Sequence, residues 1–303
     1  MWQYFIKRIL LAIVTVFVVI AITFFAMNAI PGGPFDKEKA SDPATIKALT
    51  ERYDLDKPIG EQFMIYLGRL MHLDLGISMR NGREISKTIS TKFAVSARIG
   101  GYAIIVSFVV GIALGILAAL RRNKMTDRII IFFTTLFQSV PGFVMATLLL
   151  LIFALQLGWF HVYSADKASL LLPVVSLALY PIAYITRLTK SSMLDVLADD
   201  YVRTARSKGV SPFMVVAKHA LRNAVLPIIT YLGPMVAYTL TGSLVVETVF
   251  TMPGLGSEFV QSILNRDYTM IMGTTIFLAS LMVVMTLISD LIYKMVDPRI
   301  TFD

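Results

Sequence analysis

Few residues of this chain are of a type and spacing that do chemistry, and most of them exclude a reaction. The three histidines, His72, His161 and His219, stand on separate loops, with no His-Glu-x-x-His pair, so a metal centre is not expected. No Gly-x-x-x-x-Gly-Lys-Ser/Thr run is present to cradle nucleotide phosphates, so the chain is not expected to hydrolyse ATP. Gly254-Leu255-Gly256 follows an apolar run rather than a strand, which is the wrong setting for a dinucleotide fingerprint. Inside the apolar runs the carboxylates to consider are Glu247 and Asp290. An acid in hydrocarbon is costly and is a functional hypothesis by default. Both lie near the end of a run, where water reaches, and Asp290 has Lys294 one turn on, so a structural role fits each. The lack of a buried acidic relay argues against a transporter driven by protons or sodium ions.

The strongest signal is a basic segment caught between two apolar runs, from Asp199 and Asp200 through Tyr201, Arg203, Thr204, Ala205, Arg206 and Lys208 to Gly209. Asp199 is placed to cap a short helix, and Gly209 to end it in the left-handed conformation. Ser211-Pro212 starts a second helix that reaches Asn223, and Leu226-Pro227 opens the next apolar run. Val202, Ala205 and Gly209 share one face of the first helix, while Arg203 and Arg206 share another. Such a rod, small on one side and basic on the other, fits a groove on a partner and can pass on a rigid-body push. A DNA-binding helix–turn–helix is equally basic, but membrane begins within a few residues on either side and leaves no room for a duplex.

The elements that must hold this segment follow from composition. Of 303 residues, 56% are hydrophobic and 16% charged, and mean hydropathy is +0.71. A soluble domain cannot hide that much apolar surface, so the expected class is an all-α, polytopic membrane protein. The net charge of +8 reflects Lys and Arg gathered in short cytoplasmic loops rather than nucleic-acid binding. The absence of cysteine excludes disulfides, thiolate metal sites and cysteine nucleophiles. Six runs are long enough to span: 9–30, 99–120, 129–158, 168–186, 224–246 and 268–289. The first exceeds a signal-peptide core and is read as a retained anchor. The third is over-long and carries Gln138 and Pro141, so a kink, a tilt or an extension must absorb the excess. Basic residues in alternate short loops put both termini in the cytoplasm and residues 31–98 outside. That outer loop is expected to be a small helical cap. Asp42-Pro43 starts one helix, and Phe63, Tyr66, Leu67, Leu70 and Met71 form a stripe that packs within the cap or against the membrane spans.

Two further patterns concern helix contacts. Pro227, Gly233, Pro234 and Gly242 interrupt span five, as suits a helix that lines a pathway and bends. Gly111 and Gly115 in span two form a close-packing pair, which requires another helix nearby.

With these residues in view, the chain resembles the membrane subunits of ATP-binding-cassette importers, over essentially its whole length. In the general family the cytoplasmic motif reads Glu-Ala-Ala, three residues, then Gly. Here Arg203-Thr204-Ala205 stands in that slot ahead of Gly209; the glutamate is absent, so a salt bridge assigned to it elsewhere does not carry over. The form Tyr201 to Gly209, with His219-Ala220-Leu221-Arg222-Asn223-Ala224 and Leu226-Pro227, is similar to the oligopeptide, dipeptide and nickel branch. So are Gly242-Ser243 with Val246-Glu247-Thr248, Pro253-Gly254-Leu255-Gly256, Asn265-Arg266-Asp267-Tyr268 and Asp297-Pro298-Arg299. Ile30-Pro31-Gly32-Gly33-Pro34-Phe35 leans towards the first (B) of the two oligopeptide permease subunits.

The resemblance implies a type I importer transmembrane domain spanning residues 1–303, with 31–98 as an extracytoplasmic helical loop and 191–223 as a cytoplasmic coupling segment. It implies a bacterial cytoplasmic-membrane protein without catalysis of its own. A second homologous permease subunit, two cytoplasmic ATP-binding subunits and an extracytoplasmic peptide-binding protein would complete the machine, with ATP and Mg on the partners and no cofactor here. Tyr201, Arg203, Thr204, Ala205, Arg206, Lys208 and Gly209 would dock the ATPase. Pro227, Gly233, Pro234 and Gly242 would be pathway or gate positions, and Glu247, Pro253, Gly254, Arg266 and Asp267 outer-face positions. Dipeptide, nickel or glutathione import is the near alternative. A membrane-embedded energy-transducing enzyme subunit is the alternative of a different class, and it would want buried histidines or carboxylates that the spans lack.

Overall fold

A backbone that crosses hydrocarbon must satisfy its own polar groups, and helices do this within one segment. The computed structural model describes residues 2–31, 33–35, 43–163, 169–241 and 243–296, and its regular elements are helices, with one isolated antiparallel bridge between Ile77 and Glu84. In chain order they are α1 (Trp2–Ala29), α2 (Pro43–Arg52), α3 (Ile59–Met71), α4 (Ile85–Leu120), α5 (Met125–Ser139), α6 (Gly142–Leu149), α7 (Leu171–Ala198), α8 (Asp200–Ser207), α9 (Pro212–Met214), α10 (Leu221–Ala224), α11 (Leu226–Thr241), α12 (Leu244–Val249), α13 (Leu255–Asn265) and α14 (Tyr268–Val296). Wider π-helical turns follow α6 at Leu150–Gln156 and α9 at Val215–Ala220. Five helical stretches are long and apolar enough to span, and a sixth crossing is available as the bent pair of α5 and α6.

The third span breaks where its proline predicts, and more sharply than a kink. α5 and α6 meet at 107°. Pro141 offers no N–H and holds the residue before it out of the helical region; Val140 is extended, with φ −87° and ψ 128°. α4 begins at Ile85, so the last part of the expected outer loop is already the helix of span two. Buried Ile85 and Ile89 explain the early start, since one face there is apolar. α7 runs past Thr186 to Ala198 and tolerates Pro181 within it.

The chain divides into two compact units. One holds Met1–Val95 and Pro253–Val283. In it Ile20, Phe24 and Met27 of α1 bury with Tyr268, Ile271, Met272 and Ile276 of α14, and Phe63, Tyr66, Leu67 and Leu70 of α3 pack against that cluster. The α3 stripe therefore covers two spans. Met71 is not part of it: it is 84% exposed at the last position of α3, beyond the reach of the cluster. Burial pushes the Tyr66 phenol above its ordinary range, and its buried hydroxyl has no hydrogen-bond partner among the described residues. Arg69 Nη2 and Lys57 Nζ converge on the Asp54 carboxylate, at 2.9 and 3.0 Å, and pin the α2–α3 turn. α2 starts at Pro43 as its sequence suggests; Asp42, the expected cap, lies outside the described residues.

The other unit holds Ser96–Met252 and Val284–Asp303. In it α4 approaches α7 closely at two points, and this identifies the neighbour required by the span-two glycines. A Cβ at Gly111 would lie 2.8 Å from Ile185 Cβ, and one at Gly115 would lie 2.4 Å from Thr189 Cβ. Only residues without side chains let the two backbones come this close. Ser107 Oγ donates to Ala178 O at 3.2 Å further along the same seam. On the far side of α7, Lys190 Nζ meets Asp127 Oδ1 of α5 at 2.5 Å, and Asn123 N donates to Asp127 Oδ2 at 3.0 Å. Arg187 Nη2 donates to Thr135 Oγ1 at 2.5 Å.

Candidate coupling segment and membrane pathway

The basic segment folds as its turn chemistry directs. Asp199 is extended (φ −67°, ψ 148°) and separates α7 from α8. It occupies the capping position, but its side chain makes no capping hydrogen bond, contrary to expectation. The carboxylate instead leaves the first turn to Asp200, whose acidic side chain suits a helix N-terminus. At the other end Gly209 is left-handed, with φ +78°. Gly209 N donates to Arg206 O at 3.0 Å and Val210 N to Ala205 O at 3.2 Å. This pair of bonds is a Schellman closure, with Val210 and Ala205 in its usual apolar contact. Ser211 then caps α9, its Oγ accepting from Met214 N at 3.4 Å, with Pro212 in the first turn.

The faces of α8 separate as expected. Val202 and Ala205 are buried and pack with Val196, Leu197, Val210 and Val215. Arg203, Thr204, Arg206, Lys208 and Gly209 are exposed. Arg203 Nη1 lies 3.4 Å from Asp200 Oδ1, but at 71% and 95% exposure this pair contributes at most about 1 kcal/mol. Thr204 Oγ1 bonds back to Asp200 O at 2.9 Å. Tyr201 differs from its basic neighbours. Its hydroxyl accepts from Asn223 Nδ2 at 2.7 Å and donates to His219 O at 3.4 Å, which ties α8 to the returning chain. That return is anchored in turn: Ala220 and Ala224 bury with Ala119 of α4 and Met193 of α7. Sequence reasoning read Tyr201 as a docking residue; its Asn223 bond across 22 positions has no local signature.

Along span five the positions singled out have distinct tasks. Pro227 lies in the first turn of α11, where a missing N–H costs nothing, so it starts the helix rather than interrupting it. Gly233 is a close-approach site: a Cβ there would fall 2.0 Å from Ser289 Cβ of α14. Pro234 is exposed within α11. Gly242 lies outside the described residues. Glu247 does not sit where water reaches. It is fully buried at the start of α12 and accepts from Ser243 Oγ one turn earlier. The reason is that α12 turns Val246 and Glu247 inward, on the face that leads to buried Phe250 and Met252. Asp290 is half-buried; the side chain of Lys294 lies outside the described residues.

The remaining candidates cluster around α13 and the start of α14. Pro253 is exposed, and Gly254, extended and buried, precedes α13. Arg266 ends α13 in the left-handed conformation (φ +56°), and its Nη1 donates to Pro31 O at 3.3 Å. Asp267 is 4% exposed and accepts from four groups. They are Ser78 Oγ, Met79 N (3.1 Å), Thr269 Oγ1 (3.1 Å) and Met270 N (3.2 Å), the last being a helix cap for α14. Arg80 adds donations to Asn265 O and Pro34 O. The Asn265-Arg266-Asp267 stretch thus binds the 77–80 turn to the start of α14. Among the described residues no group of three or more His, Cys, Asp or Glu side chains is placed to hold a metal ion.

Comparison with known proteins bears on the family and the fold. A family model described as a binding-protein-dependent transport system inner membrane component matches residues 111–302, and a model of the N-terminal part of such components matches residues 1–99. The dipeptide transport system permease protein DppB of Bacillus subtilis is 42% identical over 302 residues, covering 99% of this chain and 98% of its own. The oligopeptide transport system permease protein OppB of Haemophilus influenzae is 38% identical over 306 residues, covering both chains fully. Among solved structures, an amino acid ABC transporter aligns with TM-score 0.53 at 18% identity, over 71% of this chain and 95% of its own. The inward-facing MetNI methionine ABC transporter aligns with TM-score 0.55 at 15% identity, over 70% and 97%. These two bear on the fold alone.

Proposed function

Because the chain belongs to the family of binding-protein-dependent transport system inner membrane components, and is a permease subunit of an ATP-binding-cassette importer rather than an enzyme, we propose that its cargo is peptide and its system an oligopeptide importer. Residues 1–303 then act as one transport domain that supplies half of the pathway. A second, homologous permease supplies the other half, two ATPases bind ATP and Mg on the cytoplasmic side, and a binding protein delivers peptide outside. Both termini lie in the cytoplasm.

The observation that carries the coupling role is α8 itself. Its apolar face is spent on its own chain, while Arg203, Arg206 and Lys208 point outward on a rod closed by Gly209. A groove on the ATPase that receives this rod would move α7 and the return helix together, since both are packed to it. Span five, with its close approach at Gly233 and prolines at 227 and 234, would line the pathway.

A second reading, dipeptide import, is favoured by the Bacillus relative. Uptake into proteoliposomes holding this chain with its partner permease, ATPases and binding protein decides between them. Pentapeptides should compete with a labelled tetrapeptide better than dipeptides do; preferential competition by dipeptides would move the assignment. The isolated chain should turn over no ATP.

A further inference from the structure

Two basic stretches border the spans, and they differ in what lies between the charges. On α8 the apolar Val202 and Ala205 turn inward, which leaves Arg203 and Arg206 exposed beside Thr204, Ser207 and Lys208. At the turn from α4 into α5 the cations Arg121, Arg122, Lys124 and Arg128 are all exposed, and here apolar side chains are exposed with them. Met125 is 70% exposed, Ile129 49%, and Phe132, one turn beyond Arg128, 64%.

The fold also sorts this turn's charges by sign. Asp127 is the one carboxylate between Glu84 and Asp166. It is buried, with Oδ1 on Lys190 Nζ of α7 and Oδ2 accepting from Asn123 N. Asn123 is left-handed, with φ +63°, a conformation asparagine tolerates, and Lys124 N donates to Arg121 O at 2.9 Å. The acid thus holds the turn from inside. The four cations stand outside it and form no ion pair among the described residues.

We propose that the α4–α5 turn is a binding site for an anionic phospholipid, with the phosphodiester held by Arg121, Arg122, Lys124 and Arg128 and an acyl chain along Met125, Ile129 and Phe132. α4 is a membrane span and the turn begins where it ends, so the cations stand at the headgroup level. A guanidinium meets phosphate oxygens through two parallel hydrogen bonds, and each cation near an anionic surface adds to the attraction. From Met125 to Phe132 the helix advances about 10 Å, so the apolar side chains lead away from the cations in the order in which a lipid's own tail follows its headgroup. Charge alone would suit a protein groove, as on α8. Charge interleaved with exposed apolar side chains suits the boundary between headgroups and tails. The inference depends neither on the cargo nor on which leaflet the turn meets.

The test measures binding of fluorescent phosphatidylglycerol to the full chain in detergent micelles, against phosphatidylcholine with the same acyl chains. Phosphatidylglycerol should bind more tightly. Arg121→Gln, Arg122→Gln, Lys124→Gln and Arg128→Gln should each weaken it about fivefold at low salt, and the loss should shrink as salt is raised. Ile129→Gln should weaken both lipids alike. Arg206→Gln, which removes a cation from α8, should match the parent, as should the melting temperature of every variant. Arg122→Lys should keep most of the affinity that Arg122→Gln loses, which separates lost charge from a disturbed fold. Equal affinity for the two lipids, or affinity unchanged in all four glutamine variants, would overturn the site. So would an equal loss in Arg206→Gln, which would reduce the effect to net charge. Displacement of the lipid by soluble glycerol phosphate would make it a site for free anions instead. Loss of ATPase co-purification from the assembled complex, with lipid affinity unchanged, would make the turn a protein contact.

Discussion

The segment proposed to couple, around α8, and the Asp267 cluster both resemble motifs of one family, yet they are built on opposite principles. Around α8 the charged groups are exposed, and the order comes from short-range geometry: a Schellman turn, a serine cap and a small apolar face. Around Asp267 the charge is buried, and the order comes from partners nearly two hundred positions away in sequence. The first region holds its shape without using its arginines, which leaves them available for another protein. The second uses its carboxylate up in holding itself together. A motif residue is a candidate for recognition only if the fold does not already consume it.

The sharpest way to break this contrast is at Asp267. Asp267→Ala removes the cap of α14 and leaves the buried donors of Ser78 and Met79 unmet, at about 3 kcal/mol. Detergent-solubilised protein should melt at lower temperature and reach the membrane in lower amount, and Ser78→Ala should reproduce a smaller part of the loss. A stable Asp267→Ala protein that fails only in transport would make this carboxylate a recognition group after all.

Gly209→Val tests the other region. A Cβ there meets nothing within 4 Å, so the cost is backbone strain at φ +78°, about 1–3 kcal/mol, and not a clash. The assembled complex should hydrolyse ATP without driving uptake. Gly209→Asn should recover most of the coupling, because asparagine tolerates the left-handed region. Equal uptake per assembled complex in Gly209→Val and parent would end the claim that this turn transmits force.

The smallest effect on stability, and the clearest on association, is expected at Arg203. Arg203→Glu should leave the melting temperature nearly unchanged, since its contact with Asp200 is exposed. It should weaken ATPase co-purification, with the loss shrinking as salt is raised. A large loss of stability would show that α8 depends on its arginines.

The two regions also differ in how far their sequence announced them. Gly209, Ser211-Pro212 and the buried face of Val202 and Ala205 were legible because each depends on neighbours within one or two turns. Pro141 and the excess length left a kink, a tilt or an extension open, and the 107° angle depends on where α6 finds its packing partners. Asp199 looked like a cap because its residue type allows one; the side-chain rotamer that the fold selects makes no such bond. The burial of Glu247, the bonds of Asp267 to Ser78 and Met79, and the Tyr201–Asn223 bond rest on chain segments meeting in space. No spacing within one segment encodes them. Gly111 and Gly115 fall between these cases: the pair signalled a close helix, and only the fold could name α7.

That glycine contact sets a mechanical ratio. With bare backbone against Ile185 and Thr189, sliding α7 along α4 would drive side chains into main chain, so of the two motions at this contact tilting meets less resistance. From Thr189 to the cytoplasm-proposed end at Ala198 is about 14 Å, and from Ile185 to Leu171 about 21 Å. A tilt about this fulcrum would therefore carry the far end of α7 about one and a half times as far as the end beside α8, turning a short stroke into a longer one.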